Sequence, residues 1–277
     1  MNGQVTAKIV TEISAATLLA ASYEHFVAYL LYCAQAQDGE VYDTLELAWG
    51  ISGVPSYHLS GVVRTRLAPG ANVDAAIEGV LDRFRARRLP MGWFINPGTS
   101  PTDLGSKLES HGFTCIEDDV AMSVDLGALP EQVPTPDNLT IIEVLDPPTL
   151  RQWVDVAGIS NEWKPARREL TLPFRLSLGL DPESPYRSFL AYLDGVPVAT
   201  SELFLGAGVA AVVWVGTTPE ARRQGIGAAI TLAALREAHN LGYRIGALFA
   251  SPMGYPVYHR LGFEEMCKIP VYYWEPK

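Results

Sequence analysis

Cysteine, histidine and basic residues are scarce in this sequence. The 277 residues include three cysteines and five histidines, and 21 Lys or Arg against 31 Asp or Glu give a net charge of −10. Cys33, Cys115 and Cys267 lie far apart and are odd in number, so the sequence has neither a disulfide framework nor a metal-ligand spacing. We therefore expect three buried thiols, no metal, and a reducing, cytoplasmic location.

A net positive charge is also missing, and we interpret the short basic run from Arg83 to Arg88 as a solvated helix end that complements the helix dipole. Sequence-independent binding of nucleic acid requires a face rich in Lys and Arg, so we expect no nucleic-acid partner. The acidic balance is compatible with a cationic amine as substrate, but it does not identify one.

No apolar run is long and unbroken enough for a membrane span. The strongest candidate, Ile13 to Ala36, is interrupted by polar residues that include Glu24, His25 and Gln35. A span needs about 20 predominantly apolar residues, so we interpret this segment as an amphipathic core helix and expect no membrane partner and no signal sequence. The composition, 48% apolar and 19% charged, is that of a globular protein.

One stretch, residues 212–227 with the sequence VVWVGTTPEARRQGIG, combines a strand, a turn and the start of a helix. Its apolar, β-branched and aromatic beginning predicts a buried strand. Gly225 and Gly227 precede a run of helix formers and leave room for a ligand to approach the backbone. Free N–H groups at the helix start, with the guanidinium groups of Arg222 and Arg223 beside them, predict a pyrophosphate site.

Two other phosphate-binding motifs do not fit this stretch. A Rossmann fingerprint requires a third glycine three residues after Gly227, where this sequence has Ile230, and a P-loop requires Gly-Lys-Ser/Thr, which is absent. A structural turn uses glycine equally often, so the glycines alone do not identify a ligand.

The spacing Arg222-x-x-Gly225-x-Gly227, between a strand and a long helix, resembles the acyl-CoA pyrophosphate loop of the GNAT family of N-acetyltransferases. The resemblance implies an α/β (α+β) fold, a mixed and mostly antiparallel twisted sheet flanked by helices, and acetyl-CoA as co-substrate. It also implies that the strand before the loop splays from its neighbour and offers main-chain groups to the thioester. The residues that it places at acetyl-CoA are Trp214, Val215, Gly216, Thr217, Arg222, Arg223, Gln224, Gly225, Ile226, Gly227, Ala228 and Ser251.

A tyrosine near the C-terminus continues the resemblance. Tyr258 stands five residues before the phenylalanine of Leu261-Gly262-Phe263, where the family has its general acid. The resemblance therefore assigns Tyr258 to protonation of the leaving thiolate. A core tyrosine whose hydroxyl satisfies a buried partner is the structural alternative.

The general base is less well marked. Some relatives carry a glutamate fourteen residues before the first loop glycine, a position that Ala211 occupies here. Glu202, on the preceding predicted strand, is the nearest carboxylate on that side and is our candidate for proton abstraction through water. It could equally be a solvent-facing strand residue, and His239 and His259 are weaker candidates on neighbouring helices.

The two halves of the chain repeat one pattern. Aligning Ala76-Ile77 with Ala229-Ile230 brings helix, strand, turn and helix into register, and places Gly112-Phe113 opposite Gly262-Phe263. We interpret this as a diverged duplication: a GNAT-like domain over 1–128, a proline-rich linker over 129–138, and an acetyl-CoA-binding domain over 139–277. The first half has neither the arginine nor the Gly-x-Gly, and Leu108 replaces the tyrosine, so we expect a degenerate, non-catalytic copy.

Two functions from different classes follow. The first is acetyl transfer from acetyl-CoA directly to the amine of a small molecule or peptide, and the second is a CoA-binding regulatory or scaffold protein without turnover. Ala211 favours the second and Tyr258 favours the first. A structural protein with an ordinary strand–turn–helix would bind no CoA at all. A homodimer is possible, and the sequence does not identify the acceptor.

Overall fold

The computed structural model describes residues 8–277, apart from the side chains of residues 117–119. The chain divides into two compact units that are each assembled from separate segments. The first unit comprises the described residues up to 25 together with 120–172 and 179–267, and the second comprises 26–119, 173–178 and 268–277.

The first unit is a mixed sheet flanked by helices. The second half of the long strand β5 (Thr114–Asp125) begins its sheet, followed in spatial order by β10, β9, β8, β7 and β6. All of its neighbouring strand pairs are antiparallel except β9 with β10. Its remaining strands and its helices are β6 (Leu139–Glu143), α4 (Pro147–Ser160), the first part of α5 (Pro165–Leu178), β7 (Tyr186–Leu193), β8 (Val196–Gly206), β9 (Val209–Thr217), α6 (Ile226–Asn240), β10 (Ile245–Ala250) and α7 (Tyr255–Arg260).

Two tight turns fix the meander of β7, β8 and β9. Asp194 and Gly195 have φ angles of 52° and 77°, and Ala207 and Gly208 have 49° and 76°. Two consecutive positive φ angles are typical of the hairpin turn whose twist matches that of the flanking strands. The first turn joins β7 to β8, and the second turn leads into β9.

The second unit repeats this architecture on a smaller scale. Its sheet has the spatial order β1, β2, β3, β4 and the second half of β11. Among the described pairs of its named strands, β3 and β4 are parallel and the others are antiparallel. Its elements are the second part of α1 (Ala15–Cys33), β1 (Glu40–Asp43), β2 (Leu47–Ile51), β3 (Gly61–Thr65), α2 (Val73–Arg87), β4 (Met91–Phe94), α3 (Leu104–Ser110) and the end of β11 (Glu264–Trp274).

The duplication predicted from the sequence has a structural counterpart. In both copies a parallel strand pair is joined by a helix, and a shorter helix then leads to a long strand. Gly112 and Gly262 have φ angles of 88° and 95°, and the amide of the next phenylalanine donates in each case to the carbonyl five residues earlier, at 3.1 Å. Leu108 and Tyr258 therefore occupy equivalent positions. The predicted fold class, two mixed and mostly antiparallel sheets flanked by helices, is confirmed.

The last strands are exchanged between the copies. β10 of the C-terminal copy pairs with β5 from Ile245–Asp125 to Ala250–Val120, whereas β4 of the N-terminal copy pairs with β11 from Phe94–Val271 to Met91–Trp274. The compact units consequently differ from the consecutive segments 1–128 and 139–277. Those sequence boundaries stay a prediction, because spatial compactness does not locate the start of a duplicated copy.

Helix α5 contains Pro173 inside it. The expectation of three buried thiols is wrong for two of the cysteines. Only Cys33 of the three cysteines is buried, whereas Cys115 is exposed and Cys267 half-buried. Among the helices of residues 8–277, none has the length and apolar character required to cross a membrane.

Candidate functional site

The site begins where two parallel strands separate. Within the described residues, β9 pairs with β10 only through Ala210–Gly246 and Ala211–Ala247. Beyond these pairs β9 continues to Thr217 along β8 alone, so its other edge faces a gap. Main-chain N–H and C=O groups on an open strand edge are available to an extended ligand.

A bulge in β9 lies beside this gap. Thr200 pairs with Gly216 and Glu202 pairs with Val213, so that Trp214 and Val215 together oppose a single residue of β8. Trp214 has a φ of 52°, and its carbonyl accepts a hydrogen bond from the Thr200 hydroxyl at 3.2 Å. A bulky residue in this conformation is strained, and such strain is often found at functional sites.

The indole of Trp214 is held by stacking. Its ring meets that of Trp163 edge-on with centroids 5.5 Å apart. The guanidinium of Arg167, on α5, lies 4.2 Å from the Trp163 centroid and 4.8 Å from the Trp214 centroid. Cation–π contacts on two indoles therefore fix the Trp214 side chain and stabilise the bulge.

The start of helix α6 can attract an anion. Its N-cap is Gly225, with a φ of 80° and no side-chain cap, and the first intrahelical bond runs from Ala229 N–H to the Gly225 carbonyl. The N–H groups of Ile226, Gly227 and Ala228 consequently have no intrahelical acceptor, and the first turn contains no acidic residue. These groups and the helix dipole form a site for a phosphate.

A cleft of about 720 Å³ joins the strand gap to this helix start. The cleft is lined by most of the residues that the sequence predicted at acetyl-CoA. Tyr258, the predicted general acid, also lines it. Trp214, Gln224 and Glu202 are not among the lining residues. The predicted residues that line the cleft are Val215, Gly216, Thr217, Arg222, Arg223, Gly225, Ile226, Gly227, Ala228, Ser251 and Tyr258.

Several lining residues were not predicted. Ser160 and Asn161 end α4 and lie over Gly216, where an added Cβ would approach the Ser160 Cβ to 2.8 Å and the Asn161 Nδ2 to 3.1 Å. No local sequence pattern predicts that Ser160 and Asn161 line the cleft, because more than fifty residues of chain separate them from Gly216. The others are Ala221, directly before Arg222, and a group on the opposite wall, Met253, Gly254, Pro256, Val257 and Arg260.

Arg222 uses its guanidinium to hold the cleft together. Its Nε donates to the Thr217 carbonyl at 3.1 Å and its Nη2 donates to the Ser160 carbonyl at 3.2 Å. The side chain therefore ties the end of α4 to the end of β9. Two of its N–H groups are directed to the main chain, and its predicted place beside a pyrophosphate stays a prediction.

Ser251 and Tyr258 lie on the far wall of the cleft. The Ser251 Oγ accepts a hydrogen bond from Gly254 N–H at 3.2 Å, at the turn into α7. Tyr258 is 8% exposed, and its ring meets Phe263 edge-on with centroids 5.9 Å apart. Its hydroxyl has no hydrogen-bond partner within residues 8–277. Burial raises the pKa of Tyr258 to about 12, so the phenol stays protonated at neutral pH.

Glu202 is fully buried on β8. Its carboxylate accepts hydrogen bonds from the Tyr186 and Ser188 hydroxyls, the latter at 3.1 Å. The expectation that it could be solvent-facing is wrong. Its register partner Val213 stands directly before the bulge, so Glu202 lies next to the cleft residues in the sheet without lining the cleft.

The equivalent split in the N-terminal copy is closed. Parallel pairing of β3 with β4 also covers only two residue pairs. Beyond them the Asn96 amide donates to the Val63 carbonyl at 2.9 Å. The side chain of Trp93, in the second pair, also reaches past the pairing, and its Nε1 donates to the Thr65 hydroxyl at 2.9 Å. Ser100 N–H then bonds the Thr65 carbonyl at 2.9 Å. The chain after β4 therefore bridges the position where the C-terminal copy has its cleft.

The start of helix α2, unlike that of α6, is capped by a side chain. Asn72 caps α2 by accepting from Ala75 N–H at 3.0 Å, and Asp74 lies in the first turn. A satisfied amide and a carboxylate at the helix start both disfavour a phosphate there. In the described part of the chain, no group of three His, Cys, Asp or Glu residues is arranged to hold a metal ion.

Comparisons with known proteins agree with this geometry. Residues 207–266, which contain β9, α6, β10 and α7, match the family model described as an acetyltransferase (GNAT) domain. A search of curated protein sequences finds no match. The segment matched by the family model includes the loop and the tyrosine that carried the resemblance in the sequence.

Solved structures share the fold over most of the chain. A GCN5-related N-acetyltransferase from Kribbella flavida is 21% identical, covers 92% of this chain and 96% of its own, and has a TM-score of 0.68. One from Sphaerobacter thermophilus is 20% identical over 73% of this chain and 66% of its own, with a TM-score of 0.57. A tandem GNAT protein from the clavulanic acid biosynthesis pathway is 14% identical over 96% and 98%, with a TM-score of 0.55. The chain therefore has the GNAT fold and carries a GNAT acetyltransferase domain match.

Proposed function

We propose that this protein is an acetyl-CoA-dependent N-acetyltransferase that acts directly on the amine of a small molecule or peptide. The observation that carries the proposal is the cleft in which an open strand edge, an uncapped helix start and a buried tyrosine come together. Acyl transfer from a thioester to an amine needs a held donor, a deprotonated acceptor and an acid for the leaving thiolate, and these features support the first and the third.

In this proposal acetyl-CoA extends along the cleft. The N–H groups of Ile226, Gly227 and Ala228 take the pyrophosphate, with Arg223 beside them. The free edge of β9 at Val215 to Thr217 takes the pantetheine arm by main-chain hydrogen bonds. Trp214, Gln224 and Ser251 remain assigned to the donor site by resemblance, Trp214 through its main chain at the bulge.

The reaction that we propose is a direct displacement. The amine nitrogen attacks the thioester carbonyl carbon, and collapse of the tetrahedral intermediate breaks the C–S bond. The departing thiolate takes its proton from the Tyr258 phenol, which regains one from solvent. The proton lost by the amine passes to a base, leaving an acetamide and CoA as products.

Glu202 is the base that we propose, acting through water. It is a buried carboxylate one register position from the bulge, on a strand that pairs directly with β9. Its distance from the lining of the cleft requires such a relay, in which the Tyr186 and Ser188 hydroxyls orient the carboxylate.

We further propose that only the C-terminal copy binds the donor. The bridged split at Asn96 and the capped, acidic start of α2 support a degenerate N-terminal copy, as the sequence suggested. The cytoplasmic location and a possible homodimer stay predictions.

A CoA-binding regulatory or scaffold protein without turnover is the second candidate. Ala211 at the position of the relatives' glutamate and the burial of Glu202 favour it. The two candidates share the donor site and differ in the acceptor chemistry, so they are separated by turnover and not by binding.

Acetylation of a panel of amines and peptides, followed with the unaltered protein and Tyr258→Phe, separates them. Tyr258→Phe keeps the ring against Phe263 but removes the acid, so we expect kcat to fall by about a hundredfold or more, with KM for acetyl-CoA nearly unchanged. Tyr255→Phe, whose hydroxyl contacts Glu265 at 3.3 Å, is the control and should keep full activity. Donor binding without acetylation of any amine would favour the scaffold, and equal kcat values for Tyr258→Phe and the unaltered protein would exclude Tyr258 as the acid.

A further inference from the structure

The cleft has a charge opposite to that of the whole chain. Its described lining includes Arg222, Arg223 and Arg260 but no Asp or Glu, although the chain carries a net charge of −10. A cleft lined by positive charges raises the local concentration of anionic ligands. The cleft therefore favours a negatively charged ligand.

The three arginines are not equivalent. Arg222 donates to the carbonyls of Thr217 and Ser160, so its position is fixed by the protein. Arg223 and Arg260 are exposed, and within residues 8–277 neither forms a hydrogen bond or an ion pair. Their charges remain available to a ligand.

The two available arginines lie on different walls. Arg223 belongs to the loop that precedes α6, next to the amides that face a pyrophosphate. Arg260 is in the last turn of α7, on the wall that also carries Met253 and Ser251. Because the α6 amides and Arg223 already serve the pyrophosphate, Arg260 is left for a second anionic group. Coenzyme A has such a group, the phosphomonoester on the 3′-oxygen of its ribose.

We propose that Arg260 binds the 3′-phosphate of the donor and so makes the protein select acetyl-CoA over acetyl-3′-dephospho-CoA. This inference rests on the proposed function. A guanidinium matches a phosphate geometrically and electrostatically, with two parallel N–H donors and a permanent charge. Because Arg260 is exposed, solvent and salt weaken the pair, and selectivity should fall as ionic strength rises.

Calorimetric titration with both donors at low ionic strength tests the inference. The unaltered protein should bind acetyl-CoA about five- to tenfold more tightly than acetyl-3′-dephospho-CoA, as expected for one charge-assisted hydrogen-bonded pair. Arg260→Gln should bind acetyl-CoA as weakly as the dephospho donor and leave affinity for the dephospho donor unchanged. Arg151→Gln removes an exposed arginine of α4 outside the cleft lining and should keep the selectivity.

Each other outcome is decisive. Equal binding of the two donors by the unaltered protein would overturn this inference alone, as would selectivity that survives in Arg260→Gln. Loss of selectivity in Arg223→Gln but not in Arg260→Gln would place the 3′-phosphate at Arg223, on the other wall, and would also overturn the inference. Failure of the unaltered protein to bind either donor would overturn the proposed function itself.

Discussion

At the scale of single residues, His25 shows how burial sets protonation. It is 3% exposed on α1, and its Nε2 lies 3.0 Å from the Phe204 carbonyl. Burial lowers its pKa to about 4 from 6.5, although the carbonyl acts in the opposite sense. The imidazole is therefore neutral at physiological pH, with Nε2 carrying the proton that it donates to the carbonyl.

His25 should make the protein sensitive to acid. Above pH 6.5 the imidazole is neutral in both the folded and the unfolded protein. Between pH 6.5 and 4 only the unfolded protein takes up the proton, so the free energy of unfolding falls as the pH falls. Between pH 7.5 and 5 this contributes a loss of about 2 kcal/mol. Urea unfolding of the unaltered protein and His25→Gln at both pH values measures it. The variant, which keeps a donor for Phe204, should lose about 2 kcal/mol less, and equal losses would contradict the assignment.

Single residues also show how far prediction from sequence reaches. Gly225, Gly227 and Tyr258 were singled out by local spacings, the glycines to Arg222 and the tyrosine to Phe263, and all three line one cleft, while their roles stay predictions. Arg222 was found for its charge, but its bonds to two main-chain carbonyls depend on how α4 ends, which its own neighbours in sequence do not determine.

At the scale of elements, the segment after β5 braces the loop that precedes α6. Arg236 on α6 donates to the Pro130 carbonyl at 3.1 Å, and the Pro134 carbonyl lies only 2.1 Å from where a Cβ of Gly225 would be. The proline-rich stretch that the sequence predicted as a linker thus packs on the start of α6. Gly225 is required there both by its φ of 80° and by this contact.

Gly225→Ala should therefore cost more than its φ angle alone explains. Gly195→Ala is the matched control, because Gly195 has a φ of 77° and nothing within 4 Å of an added Cβ. We expect a loss of about 1 kcal/mol for Gly195→Ala and roughly 1 to 3 kcal/mol more for Gly225→Ala, because the Pro134 carbonyl must move. Denaturant unfolding of both variants measures the difference, and equal losses would show that the proline-rich segment does not brace the loop.

The features that the residues themselves left open have several physical causes. α5 contains Pro173, which removes a helical hydrogen bond and conceals the helix from propensity arguments. The split between β9 and β10 was expected only by resemblance, because a run such as Val212 to Val215 specifies a strand but not its partners. Ser160, Asn161 and Arg260 reach the cleft through tertiary contacts alone, so no local pattern could reveal their place in it.

At the scale of the whole molecule, the duplicated copies depend on each other. Each unit takes the last strand of the other copy, β5 beside β10 and β11 beside β4. The N-terminal copy therefore supplies β5 to the sheet that contains β9 and β10. Its closed split and capped helix predict that the complete chain binds a single acetyl-CoA.

Calorimetric titration of the full chain with acetyl-CoA tests the central claim, that the cleft at α6 is the donor site, most directly. Gly227→Glu places a carboxylate at the phosphate amides, and its Cβ would lie 3.4 Å from Thr217 Oγ1, an ordinary contact. Gly79→Glu makes the same change in α2, where nothing lies within 4 Å of the added Cβ.

The unaltered protein and Gly79→Glu should bind one acetyl-CoA per chain with micromolar affinity, about −8 kcal/mol, and Gly227→Glu should bind none. Two sites per chain would contradict the degenerate N-terminal copy. Absence of binding to the unaltered protein, or unchanged binding to Gly227→Glu, would contradict the assignment of this cleft as the donor site.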